Sequence, residues 1–174
     1  MKLIGLDPGL RATGWGIIDV EGNNLGHVAD GTIHVPAKLD LADRLATLYR
    51  VLGSVIETYR PEEAAVEETF VNRNPSSTLK LGQARGVVLL APAMAEIPVS
   101  EYPANVIKKS LVGAGHAGKD QVKMMVRTIL PGASLESADA ADALAVAVCH
   151  AHHRRSRARW DEGVEVVHAA SPAE

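Results

Sequence analysis

Lys2-Leu3-Ile4-Gly5-Leu6-Asp7-Pro8-Gly9 is an apolar run that stops on an acid and a turn. Pro8-Gly9 breaks any regular element, so Lys2–Asp7 reads as a short strand buried over most of its length. Ligands of open α/β sheets bind beyond the carboxyl ends of strands. Asp7 at such an end is therefore a candidate metal ligand. A turn aspartate before Pro-Gly is an equally ordinary reading of the same residue.

Outward from this strand, Ala12–Val20 carries Ile17, Ile18 and Val20, and the turn-forming run Asp19–Asn24 separates it from a further strand over Leu25–Val35. Leu41, Leu45, Leu48, Leu52, Val55 and Ile56 make a helical stripe over Leu41–Tyr59, stopped by Pro61. Ala64–Glu68 is a second short buried strand, and Phe70–Ser77, with Pro75, is a polar loop. Thr78–Met94 predicts a helix whose Gly82 and Gly86, four apart, share a face open to close approach of another backbone. Ile97–Tyr102 predicts a strand. Asn105–Leu111, Lys119–Leu130 and Ser137–His150 predict helices. Residues 154–174, beginning with the basic run Arg154–Arg159, predict a poorly ordered tail that contacts DNA or is merely solvated. The order βββ-α-β-α-β followed by helices gives an α/β fold, a mixed sheet with helices on both faces, in one domain of residues 1–153.

The bulk numbers exclude several classes. The chain has 174 residues and is 47% apolar, enough for one cored domain. No apolar run reaches the ~18–20 residues of a membrane span, and the first strand is too short and too soon interrupted by an acid to be a signal peptide. A lone cysteine, Cys149, excludes an intramolecular disulfide framework and reads as a small buried apolar residue in a reducing cytoplasm. The net charge of −3 is unevenly spread: residues 1–71 sum to −5, residues 72–127 to +5 and residues 128–174 to −3. Acids suit a metal site and bases suit a phosphate backbone.

Ser137-Ala138-Asp139-Ala140-Ala141-Asp142-Ala143-Leu144-Ala145-Val146-Ala147-Val148-Cys149 carries most of the chemistry. Ser137 is a helix cap, and Asp139 suits the positive first turn. Neither accounts for Asp142. The helix is apolar on all sides, so it is buried. A buried carboxylate one turn from another needs a cation, a proton or hydrogen bonds. No Lys or Arg lies on this helix before Arg154. Hard divalent cations take such oxygen ligands, and two of them ~3.5–4 Å apart clamp the oxygens of a phosphodiester. Glu67 and Glu68 end the second buried strand on opposite faces, and either one can join Asp7. His150, His152 and His153 resemble a metal cluster, but a helix end favours cationic residues in any case.

These stretches together resemble the RuvC-type Holliday-junction resolvases of bacteria. The matching segments are Ile4–Gly9 with Thr13–Gly16, Val66–Phe70, Leu79–Gly86, Gln121–Arg127 and Ala138–Ala145. They run in the family's order to about residue 153. The resemblance implies an RNase H-like five-stranded mixed sheet flanked by helices. It implies a homodimer that makes paired symmetric nicks in four-way DNA junctions during recombination and repair, leaving 5′-phosphate and 3′-hydroxyl ends. Asp7, Glu67, Asp139 and Asp142 match the catalytic metal-binding acids, and the choice of Glu67 over Glu68 comes from the family pattern. Two Mg²⁺ ions, replaceable by Mn²⁺, are the implied cofactors. Phe70 matches the aromatic that contacts bases near the junction centre. Arg73, Lys108 and Lys119 are the implied DNA contacts, and Lys109 adds a charge of unassigned role. Junction-binding and branch-migration motor proteins of the RuvA and RuvB type are implied partners.

Two other classes fit parts of the sequence. Asp7-Pro8-Gly9 with Thr13-Gly14 also resembles the first phosphate loop of actin-like ATP-binding proteins, although no second such loop follows. A non-catalytic junction binder is the other, and it gains nothing from acids facing phosphates.

Overall fold

The computed structural model describes residues 1–68 and 74–169, with side chains as far as Arg154. Three strands, β1 (Lys2–Asp7), β2 (Ala12–Glu21) and β3 (Asn24–His34), form an antiparallel meander. Helix α1 (Leu41–Tyr59) leads to β4 (Glu63–Glu68), and α2 (Pro75–Met94) leads to β5 (Val99–Pro103). Helices α3 (Ala104–Val112), α4 (Lys119–Ile129) and α5 (Ala138–Ala169) complete the order. The sheet runs β3-β2-β1-β4-β5, with β4 parallel to β1 and β5 parallel to β4. This is the expected five-stranded mixed sheet.

Strand alternation divides the core in two. Leu3, Ile18 and Ala65 face α3, α4 and α5. Ile4, Leu6, Ile17 and Val66 face α1 and α2. Odd-numbered residues of β1 and β4 therefore point toward α5. The pairs Leu3↔Glu63 and Gly5↔Ala65 continue one step on to Asp7 beside Glu67. Asp7 and Glu67 thus share the α5 face, while Glu68 points to the other.

Helix α5 lies directly on β1 and β2 because glycines meet it. A Cβ on Gly14 would collide with the carbonyl of Asp139, and one on Gly5 with the carbonyl of Ala143. Ala140, Ala141, Ala143, Ala145 and Ala147 are buried on the helix side. Small residues on both surfaces let the backbones close up, and this brings the two acids of α5 to the end of β1.

Strand ends shift by one or two residues, as in β5, which runs Val99–Pro103 and not Ile97–Tyr102, and two helix ends move further. Helix α2 starts at Pro75, not Thr78: the Asn74 side chain accepts from the N–H groups of Ser76 and Ser77 at 3.0 and 3.4 Å. Proline lacks the N–H that would be orphaned at a first helical position, so it begins the helix instead of blocking it. Helix α5 continues past His150 to Ala169. That segment holds no proline and one glycine, Gly163, so little in it ends a helix. No helix of the described residues is long and apolar enough to cross a membrane.

Candidate active site

The carboxyl ends of β1 and β4 and the first turns of α5 meet at one crevice of about 210 Å³. Asp7, Glu67 and Asp142 line it, with Lys108 from α3 and Lys119 from the start of α4. Ile107 and Val122, both buried, form its apolar wall. Asp139 does not line the crevice. It stands in the first turn of α5, near enough for its charge to act on Asp7. Ser137 precedes it and accepts from the N–H of Ala140 at 3.0 Å, as a helix cap does. The Ser137 hydroxyl also meets that of Thr32 on β3 at 2.6 Å, which ties the helix start to the sheet.

The electrostatics are those of an acid cluster short of positive charge. Burial, and then the charges of Glu67, Asp142 and Asp139, push the Asp7 carboxyl up to about 8 from 3.8. Burial and Asp142 also raise Glu67, against the pull of Lys119 and Lys108. Lys119 Nζ donates to Asp142 Oδ2 at 3.1 Å, and this bond holds the ammonium above its ordinary range. Its side chain is 79% exposed, so the contact is a flexible one reaching in from the rim. Among the described residues no three His, Cys, Asp or Glu side chains are drawn together tightly enough to grip an ion as they stand. The donor set is nonetheless all hard oxygen, and its raised carboxyl calls for a cation.

Other expected residues lie elsewhere. Phe70 and Arg73 lie outside the described residues. Lys109 lines a separate groove with Val106, Ser110, His152 and His153. Cys149 is buried, and burial pushes its thiol up to about 11. The three histidines do not converge on one point; two of them share Tyr102. His150 lies between Tyr102 Oη at 2.9 Å and Glu63 Oε2 at 2.8 Å, His152 meets Ser110 at 3.1 Å, and His153 stacks on Tyr102. Arg154 Nε donates to Glu63 at 2.8 Å, at the amino end of β4 and away from the crevice. Sequence reasoning missed this brace, which ties α5 to β4 and β5. Its partners Glu63 and His150 are 87 positions apart, and no local pattern links them.

The model of the crossover junction endodeoxyribonuclease RuvC family matches residues 3–150. This chain belongs to the RuvC family. It is 65% identical to the crossover junction endodeoxyribonuclease RuvC of Rhodospirillum rubrum, over 88% of this chain and 91% of that protein. It is 61% identical to that of Paramagnetospirillum magneticum, over 94% and 99% respectively. Among solved structures, Thermus thermophilus RuvC in complex with a Holliday junction substrate superposes with a TM-score of 0.84 at 34% identity, over 90% of this chain and 96% of that one. The yeast mitochondrial Holliday junction resolvase Ydc2, at 13% identity, shares the fold with a TM-score of 0.61 over 86% and 78%. Membership in the RuvC family makes the chain a nuclease and sets aside the actin-like reading of Asp7-Pro8-Gly9.

Proposed function

We propose that the protein resolves Holliday junctions by paired hydrolytic nicks, and that Asp7, Glu67, Asp139 and Asp142 are its catalytic, metal-holding acids. The observation that carries this reading is the crevice itself. Three carboxylates from three separate elements converge with two lysines at the carboxyl end of the sheet, in a chain of the RuvC family. A binding module would place bases, not half-buried acids, against a phosphate backbone.

The acids would hold divalent ions, Mg²⁺ with Mn²⁺ as substitute, two in each site. When bound, these ions neutralise charge and act as Lewis acids on the scissile phosphodiester. Everything else falls to the chain's own residues. Asp7 sits deepest in the cluster and feels all three other acids, so it would be the carboxylate that gains most from a bound cation. Lys108 and Lys119 draw the strand over the acids. Asp142 Oδ2, which accepts from Lys119 at 3.1 Å, would be one of the oxygens offered to an ion. Ile107 and Val122 keep one wall dry, which strengthens each charge–charge contact inside. In sequence Phe70 and Arg73 come just after β4; Phe70 is assigned to the junction centre, where base stacking contributes about 1–3 kcal/mol, and Arg73 to a DNA contact.

Two symmetric cuts call for a two-fold dimer. Helix α2 presents Leu79, Leu90 and Met94, 66%, 50% and 65% exposed, on the same face as Gly82 and Gly86. A Cβ on either glycine would meet nothing within 4 Å among the described residues, so this apolar face is offered to a second copy. The nuclease unit is residues 1–153, acting in the cytoplasm beside junction-binding and branch-migration proteins of the RuvA and RuvB type. Products carry 5′-phosphate and 3′-hydroxyl ends.

The test is Mg²⁺-dependent cleavage of a synthetic mobile four-way junction, with linear duplex and Asp7→Asn as controls. Paired symmetric nicks in the junction alone, absent in the variant, are expected. Cutting of duplex at the same rate would reduce the reading to a general nuclease.

A further inference from the structure

A second groove opens at the same end of the sheet, and neither the acids nor the lysines of the crevice belong to it. It holds about 440 Å³ between the β1–β2 loop and the starts of α1 and α2. Arg11, Arg44 and Lys80 line it together with Ser77, and among the described residues no acidic side chain does. Among the described residues none of these three cations forms an ion pair. Arg44 is the informative one. One guanidinium nitrogen donates to the Leu10 carbonyl at 3.0 Å, while its Nε is buried and finds no partner among the described residues. A buried donor without an acceptor is costly. With Nη2 held by the Leu10 carbonyl, the guanidinium is fixed in place and its unpartnered Nε is a donor left over for a planar or tetrahedral oxyanion. The α2 helix end does not explain the site, because Asn74 already takes the N–H groups of Ser76 and Ser77. The floor is rigid as well. Thr13, fully buried, donates to the Gly9 carbonyl at 2.6 Å and accepts from the Gly9 N–H at 3.3 Å.

We infer that this groove seats a backbone phosphate of the DNA strand that crosses the acid crevice. The inference rests on the junction-cutting reading and adds a separate positioning contact to it. Placement selects DNA over a free anion. Arg11 is four residues beyond Asp7 in sequence, so their Cα atoms lie at most about 14 Å apart. At about 3.4 Å of rise per nucleotide, this span covers at most about four nucleotides of one strand. Anchoring phosphates on both sides of a scissile bond fixes the strand's register over the acids without reading sequence.

The test is equilibrium binding of the full chain to a four-way junction in EDTA, across a salt series, for wild type, the double variant Arg11→Ala/Lys80→Ala and Lys2→Ala. Arg11 and Lys80 are exposed, so their truncation leaves the fold intact. Lys2 lies at the opposite end of β1. The double variant is expected to bind more weakly on every junction sequence, and its log–log salt slope to shrink by about 1 for each groove that seats a phosphate. Lys2→Ala should match wild type. A neutral methylphosphonate linkage moved one position at a time within four nucleotides of the cut should find a position that weakens wild type and adds little to the double variant. If wild type binds and cuts junctions while the double variant keeps the wild-type slope and affinity, the groove is not a phosphate seat and the junction reading stands. If wild type neither binds nor cuts junctions, that reading falls and the groove falls with it.

Discussion

Asp7 is the residue where burial and like charge act together, and its titration has a definite sign. Its folded value of about 8 lies far above the ordinary 3.8. Between these values the folded state keeps a proton that the unfolded chain releases, so stability falls as pH rises through that window and is fully present below it. Metal-free protein in EDTA should melt lower at pH 8.5 than at pH 5.5. Asp7→Asn should remove at least about 3 °C of that difference, the equivalent of about 1 kcal/mol in a domain of this size. An unchanged pH dependence in the variant would show that Asp7 is not the strained group. Added Mg²⁺ should recover part of the loss at pH 8.5, because a cation then does the work of the proton. Asp142 makes a different prediction. Loss of an outer-shell metal partner already costs about 10–100-fold, so Asp142→Asn should lower the cutting rate beyond that range and leave junction affinity in EDTA near wild type. Parallel loss of both would mean that Asp142 shapes the fold instead of the chemistry. The sequence makes Asp142 conspicuous, since an acid on an all-apolar helix has no cheap explanation. It leaves Glu67 and Glu68 equivalent, because β4 is buried on both faces and alternation alone names no face. The parallel register of β4 on β1 decides between them, and that pairing joins residues about sixty positions apart.

At the scale of elements, the site exists because α5 can lie flat on β1 and β2. Gly14 opposes Asp7 in the sheet and touches the Asp139 carbonyl in the helix. Gly14→Ala should therefore lift the first turn of α5 off the sheet at a cost of about 1–3 kcal/mol. Cutting should fall further than stability explains, since Asp139 and Asp142 move with the turn. Gly26→Ala on β3, with open space around it, should stay within about 0.5 kcal/mol of wild type. Differential scanning calorimetry and single-turnover cleavage check the pair, and equal behaviour of the two variants would remove the close-packing argument. The elements themselves are largely legible in the sequence. The Leu41–Tyr59 stripe places α1 at its observed ends, and the apolar runs locate β1 and β4 to within a residue. The misplaced ends have local causes: Pro75 reads as a breaker yet serves as an N1 proline, and little between His150 and Ala169 ends a helix. No sequence pattern betrays the glycine contacts, because a glycine in a strand marks many things besides a helix crossing over it.

For the whole molecule, the question is how one crevice becomes two coordinated cuts. The acids sit at the carboxyl end of the sheet, and α2 starts at that same end and carries its apolar face outward. A two-fold axis at that face would therefore set two crevices in a fixed relation, with both open to one junction. Exposed leucine and methionine at this density are unusual on a monomer's surface unless something covers them. Leu79→Glu/Met94→Glu leaves the buried residues Ala84, Val88 and Ala91 of α2 untouched, so the fold should persist. Its mass by light scattering should drop from two chains to one. On a supercoiled plasmid carrying an extruded cruciform, wild type should yield linear product, because both strands are cut before the complex dissociates. The monomeric variant should yield nicked circles, each cut now being a separate encounter. A variant that stays dimeric would move the interface off α2, and a monomer that still linearises the plasmid in one encounter would show that pairing of the cuts comes from the junction and not from the dimer.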